Sequence, residues 1–231
     1  MKIINIIIAS LMIFSATGCR FNTKKGTYQS IELQTLNNVH CENMFVVGDK
    51  LVFITNSENY FFDYYLLPSV KYIGSFGTLS RNTNGFSMVP SPDLIRVLND
   101  SSFVSDNRII TFASQPDSVS IDENIENNFM SNDKIDSMLN IKLIYKTGLE
   151  DGAYIKSNVT NSIIYSLYYS KGDNNIDFYK QTPELHVFDM NYVLLRKYYF
   201  TNPLISFAIS AKYNKIYTLS TKNNTLQIYD L

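Results

Sequence analysis

The sequence predicts an all-β fold built from repeated four-strand units, a β-propeller, and three observations carry that prediction. From residue 30 onward, short apolar runs rich in Tyr and Phe alternate with Gly, Asn and Asp, the pattern of strands and turns. Three of these runs repeat one another: KLVFIT (50–55), SIIYSLYY (162–169) and KIYTLS (215–220). Each follows a small apolar strand, MFVVG (44–48), AYIKS (153–157) or ISFAIS (205–210), and each precedes a run carrying an aromatic residue and an aspartate, in YFFDYY, LHVFD and LQIYD. Strand, strand, strand with Asp, turn and strand is the order of a propeller blade, and the step from Asp189 to Asp230 lies within the roughly 40–45 residues of a four-stranded blade.

Length and composition agree with one such domain. The chain has 231 residues, of which 45% are hydrophobic and 18% charged, which places it among globular rather than disordered chains. The formal net charge is −1, with no long basic run, so nucleic acid is not an expected partner.

Taken in order, the N-terminus comes first. MKIINIIIASLMIFSATGCR has a cation at Lys2, an apolar stretch over 3–14 and small residues leading to Cys19, which is a secretory signal too short to span a membrane. Ala16 and Gly18 occupy the positions that cleavage before Cys19 requires, and ATGC resembles a bacterial lipobox, in which that cysteine carries lipid. The expected organisation is a signal peptide over 1–18, lipid attachment at Cys19, a polar tether over 19–29 and a propeller domain over 30–231. Cys41, the other cysteine, would then have no disulfide partner and reads as a small buried hydrophobe.

The first unit runs from MFVVG to VKYIGSF, and GFSMVPSPDLIRVLNDSSFVSDNRIITFAS can hold a second. The next stretch reads as a helical insertion over 121–138: Ser120 and Glu123 form a capping-box pattern, and Ile121, Ile125 and Phe129 share one helical face. Four to five blades are counted in all. The last unit stops at TLQIYDL without an outer strand, and SIELQTL (30–36), which alternates in period 2, is the free run able to supply it. The expectation is closure by antiparallel pairing of the two chain ends within the last blade, which removes an exposed edge.

These pieces resemble the TolB-like six-bladed β-propeller lipoproteins of Gram-negative bacteria. The similarity is greatest over 184–231, ending in Tyr-Asp-Leu, and is present in NMFVVGDKLVFIT and YFFDYYLLPSVKYIGSFG. It departs in GTLSRNTNGFSMVP, which keeps only part of the family's glycine-rich segment, and the chain is shorter than six full blades require. The resemblance implies a propeller held at the cell envelope by lipid, the outer membrane being the expected site, and it implies no established activity.

Motifs for chemistry are sparse. Only His40 and His186 exist, with no His-x-x-His or Cys-x-x-Cys spacing, so neither a structural metal nor a cofactor is expected. No P-loop, dinucleotide fingerprint or Gly-x-Ser-x-Gly elbow is present. Asp63, Asp189 and Asp230 read as occupying equivalent blade positions, and that repetition favours turn hydrogen bonding over catalysis. The aromatic runs read as inter-blade core. The expected function is therefore a monomeric, non-catalytic binding module for a protein, peptide or glycan. The alternative is an envelope carbohydrate hydrolase using paired carboxylates; carboxylates converging on the central channel would favour it.

Overall fold

The structure, a computed structural model, describes residues 22–25, 28–32, 41–55, 59–80, 85–86, 88–106, 108–113, 118–123, 142–143, 152–170, 180–220 and 225–231. For 22–25, 28–32 and for Glu42, Asp93, Glu123 and Ile205 the backbone alone is described. Cys19 and His40 lie outside these residues.

Two short strands come first, β1 (Asn22–Lys25) and β2 (Tyr28–Glu32). Blade 1 is the meander β3 (Cys41–Val47), β4 (Lys50–Thr55), β5 (Phe62–Leu66) and β6 (Lys71–Phe76). Blade 2 is β7 (Arg96–Asn99), β8 (Ser102–Ser105), β9 (Arg108–Phe112) and β10 (Val119–Glu123). Blade 3 is β11 (Gly152–Thr160), β12 (Ile163–Ser170), β13 (Glu184–Asp189) and β14 (Leu194–Tyr199). Blade 4 holds β15 (Leu204–Ser210), β16 (Lys215–Ser220) and β17 (Thr225–Asp230), with β2 as its outer strand. The described residues thus form a β-propeller of four four-stranded antiparallel blades, with first strands side by side: β3 lies next to β15 and β7, and β15 next to β11.

Period-2 alternation explains why β4 and β12 are apolar for most of their length, because each of them is buried on both faces. In β4, Leu51 and Phe53 pack with Tyr217, Leu219, Leu226 and Ile228 of blade 4, while Val52 and Ile54 pack with Phe103, Ile110 and Phe112 of blade 2. In β12, Leu167 and Tyr169 meet Phe207, Ile216 and Tyr229 of blade 4, while Ile164 and Tyr168 face the other way, with Tyr154, Phe188 and Leu143. Cys41 is a fully buried member of the blade 1–blade 4 core, as expected of a small hydrophobe. The runs containing YFFDYY and YYF also build core, through Phe61, Phe62, Tyr64, Tyr65, Tyr198 and Phe200. Blades 1 and 2 touch at a turn that only glycine fits: Gly48 has φ +59°, and a Cβ there would lie 2.1 Å from the Asp100 carbonyl oxygen.

Closure by the chain ends is present. Strand β2 pairs antiparallel with β17 in the register Thr225↔Glu32 to Tyr229↔Tyr28, so the pairing residues start two positions earlier than residue 30, and 33–36 lie outside the described residues. Two expectations are corrected. Residues assigned to a polar tether over 19–29 include β1, which pairs parallel with β14 from Asn22↔Arg196 to Lys25↔Tyr199, and the start of β2. The outer edge of blade 3 offers unpaired backbone groups, and an extended polar segment satisfies them. The helix expected over 121–138 does not begin at 121: Val119–Glu123 pairs with β9, and Val119 and Ile121 pack onto the blade 1–blade 2 core. An available strand edge and a buried face outweigh a local capping pattern there; residues 124–138 lie outside the described set.

Candidate functional site

The first strands of blades 1, 3 and 4 share a feature that no single motif announces. Each carries a bulge near its start, at Glu42, Ile155 and Ile205, and each then pairs regularly up to its hairpin turn: 43–47 with 54–50, 156–160 with 167–163, and 206–210 with 219–215. Asn43, Lys156 and Ser206 therefore occupy equivalent places, immediately after the bulge, where the local twist re-aims a side chain. β7 differs, because its irregularity lies next to its turn, between Val97 and Asn99.

These three side chains meet. The Lys156 ammonium donates to Asn43 Oδ1 and to Ser206 Oγ at 2.6 Å, and the Ser206 hydroxyl donates to Asn43 Oδ1 at 2.7 Å. The Met44 backbone N–H also reaches Asn43 Oδ1 at 2.8 Å and Ser206 Oγ at 3.2 Å. An ammonium and a backbone N–H can only donate, so the amide oxygen of Asn43 must be the atom facing them. The Asn43 NH₂ group is thereby turned away, and among the described residues it donates to nothing. Phe207 lies under the cation, with its ring centroid 5.9 Å from Lys156 Nζ. The result is an amide whose oxygen is held from three blades and whose two N–H groups have no acceptor among the described residues.

The residues singled out from sequence fall elsewhere. Asp189 and Asp230 pair with Ile163 and Lys215, the first residues of β12 and β16, but Asp63 pairs with Phe53, well inside β4. The three aspartates are therefore not equivalent. Asp189 has the expected turn role, accepting from the backbone N–H groups of Asn191 and Val193 at 2.9 Å each. Asp230 pairs with Lys215 at 2.5 Å in an exposed position. Asp63 accepts from the Ser75 hydroxyl, and burial raises its pKa above the ordinary value while that hydrogen bond opposes the rise.

By register the counterparts of Asp63 are His186 and Gln227, opposite Ser166 and Thr218. His186 is fully buried between Tyr154, whose hydroxyl lies 2.8 Å from Nδ1, and Glu184, 2.8 Å from Nε2, with its ring stacked on Tyr168. Burial pushes its pKa below 6.5, more strongly than Glu184 raises it, and the hydrogen bond from His186, followed by Lys197, holds the Glu184 carboxyl below its usual range. A neutral ring beside a carboxylate donates from Nε2 and accepts from Tyr154 at Nδ1. This is a satisfied core histidine rather than a nucleophile's base.

No family model matches the chain, and no curated protein matches it. Among solved structures, it is similar to the β-propeller domain of Myceliophteria thermophila Cps50 (Swd1), with 9% identity and a TM-score of 0.28, over 84% of this chain and 54% of that one. It is also similar to BamB from Moraxella catarrhalis, with 10% identity and a TM-score of 0.25, over 81% of this chain and 71% of that one. The chain spans about half the length of the Swd1 structure. At these TM-scores neither superposes as a whole, and the propeller is carried by sheet order and blade packing.

Proposed function

We propose that the chain is a lipid-anchored cell-envelope propeller, of the TolB-like kind that its blades resemble, acting as a non-catalytic binding module for a protein, peptide or glycan. The observation that supports binding is the Asn43 amide, locked by Lys156, Ser206 and Met44 so that its two N–H groups are presented without partners among the described residues. Such a group suits a ligand rich in acceptors, a peptide carbonyl or a sugar hydroxyl. The four first strands contain a single carboxylate, Glu42, whereas glycoside hydrolysis of the expected kind needs two. This favours the binding module over the hydrolase.

The deciding variant is Asn43→Asp. It keeps an oxygen for Lys156, Ser206 and Met44 while replacing the two donors by an acceptor. Screening peptide and glycan arrays should find a ligand for the parent that Asn43→Asp loses at unchanged melting temperature. Turnover of a glycoside by the parent, or unchanged affinity in the variant, would overturn the reading. Anchoring is tested separately: an alkyne fatty acid should label the parent in cells and leave Cys19→Ala unlabelled.

A further inference from the structure

The parallel pairing of β1 with β14 has a directional consequence. Because Asn22 sits beside Arg196 and both strands run the same way, the start of β1 lies toward the same end of blade 3 as the β13–β14 turn, at 190–193. Cys19 is three residues from Asn22, a reach of at most ~11 Å, and Val193 is three residues from Arg196. That turn is apolar and exposed: Met190, Val193 and the adjoining Leu195 are 53%, 56% and 44% accessible. Its backbone is locked, by Asp189 Oδ1 accepting from Asn191 and Val193, by Tyr192 N–H donating to the Asp189 carbonyl at 3.0 Å, and by Tyr192 packing inward against the Leu143–Phe188 cluster. Arg196, Lys197 and Lys142 lie on or beside the same edge, with Lys142 over the Tyr192 ring.

We propose that Met190, Val193 and Leu195 form a second membrane contact, inserting into the lipid headgroup region beside an acylated Cys19 and holding blade 3 edge-on to the bilayer. This rests on the lipid anchor proposed above. An acyl chain at Cys19 brings this edge within about one headgroup layer of the bilayer, since the polar headgroup zones occupy some ~5–8 Å a side, and the fixed turn presents its apolar side chains without a change of backbone. Lys197 is paired with Glu184 and Arg196 donates to the Tyr198 hydroxyl, so the exposed Lys142 beside the turn is the cation that suits an anionic lipid surface. One acyl site plus a protein contact would also define orientation, which an acyl anchor alone does not.

The chain contains no Trp, so one introduced Trp reports on its own surroundings. Protein beginning at Cys19 is coupled through that thiol to a maleimide lipid in phosphatidylethanolamine–phosphatidylglycerol vesicles; Cys41 is buried and does not compete. Val193→Trp should shift its emission to the blue and be quenched by brominated lipid. Met88→Trp, at an exposed residue outside blade 3, should show neither effect. Equal responses at 193 and 88, or no response at 193, overturn the proposal while leaving acylation untouched. A shift at 193 that needs raised protein concentration rather than lipid assigns the patch to a second copy of the chain and overturns it as well. Absence of acyl label on Cys19 in cells overturns it by the other route, and the coupled vesicles distinguish the two because they do not depend on cellular acylation.

Discussion

His186 shows how one buried side chain sets a pH dependence. Its folded pKa lies below the ordinary 6.5, so as pH falls through 6.5 the unfolded chain takes up a proton that the folded chain refuses, and stability is lost. Glu184, held below its ordinary 4.5, acts in the same direction at lower pH: its contribution is present above 4.5 and is lost as pH falls through its folded value. The melting temperature should therefore drop between about pH 7 and pH 5. His186→Gln should flatten that slope while lowering the value at neutral pH, since the Tyr168 stack is lost. The aspartates give a second comparison. Asp189→Ala removes the acceptor of two turn N–H groups and should cost about 1–2 kcal/mol in urea unfolding. Asp230→Ala breaks an exposed ion pair and should stay within about 0.5 kcal/mol of the parent.

At the scale of the element, the end of the chain is a central strand rather than an edge. β17 lies between β16 and β2 and buries Leu226, Ile228 and Tyr229. Each such side chain contributes about 1.5–3 kcal/mol, against a total stability of roughly 5–15 kcal/mol. Deleting 225–231 should abolish cooperative melting, seen as loss of the near-ultraviolet dichroism of the packed tyrosines. Trimming 20–26 removes β1, which adds a parallel fifth strand outside a complete blade. The trimmed protein should fold, melt a few degrees lower, and associate with rising concentration in light scattering, because the β14 edge is bared. A melting temperature identical to the parent, with no association, would show that β1 contributes nothing.

Across the whole molecule, packing runs from blade 2 to blade 1, blade 4 and blade 3, and the blade 1–blade 4 core sits in the middle of that series. Phe53, fully buried there, should cost about 3–5 kcal/mol on truncation to Ala and shift the whole thermal transition rather than split it. Hydrogen exchange should grade the first strands: slowest in β3 and β15, fastest in β7, all four of whose residues are exposed. Equal protection in β7 and β15 would contradict this ranking.

Local order was legible in the sequence because alternation is a local signal: KLVFIT, SIIYSLYY and KIYTLS each bury both faces, and their turns carry Gly, Asn and Asp. The closing partner of TLQIYDL was also legible, since a strand lacking a neighbour implies one elsewhere in the chain. Two things depended on the tertiary structure. One is the competition between local and distant partners: Ser120 and Glu123 make a sound helix cap, yet β9 offers them a ladder, and NTKK reads as tether until β14 presents an open edge. The other is the register of separate blades at the axis. Asn43, Lys156 and Ser206 share no residue type and no sequence spacing, and each hides as a polar residue in or beside an apolar run. Only when three hairpins are aligned from their turns, and three bulges re-aim the side chains, do an amide, an ammonium and a hydroxyl meet.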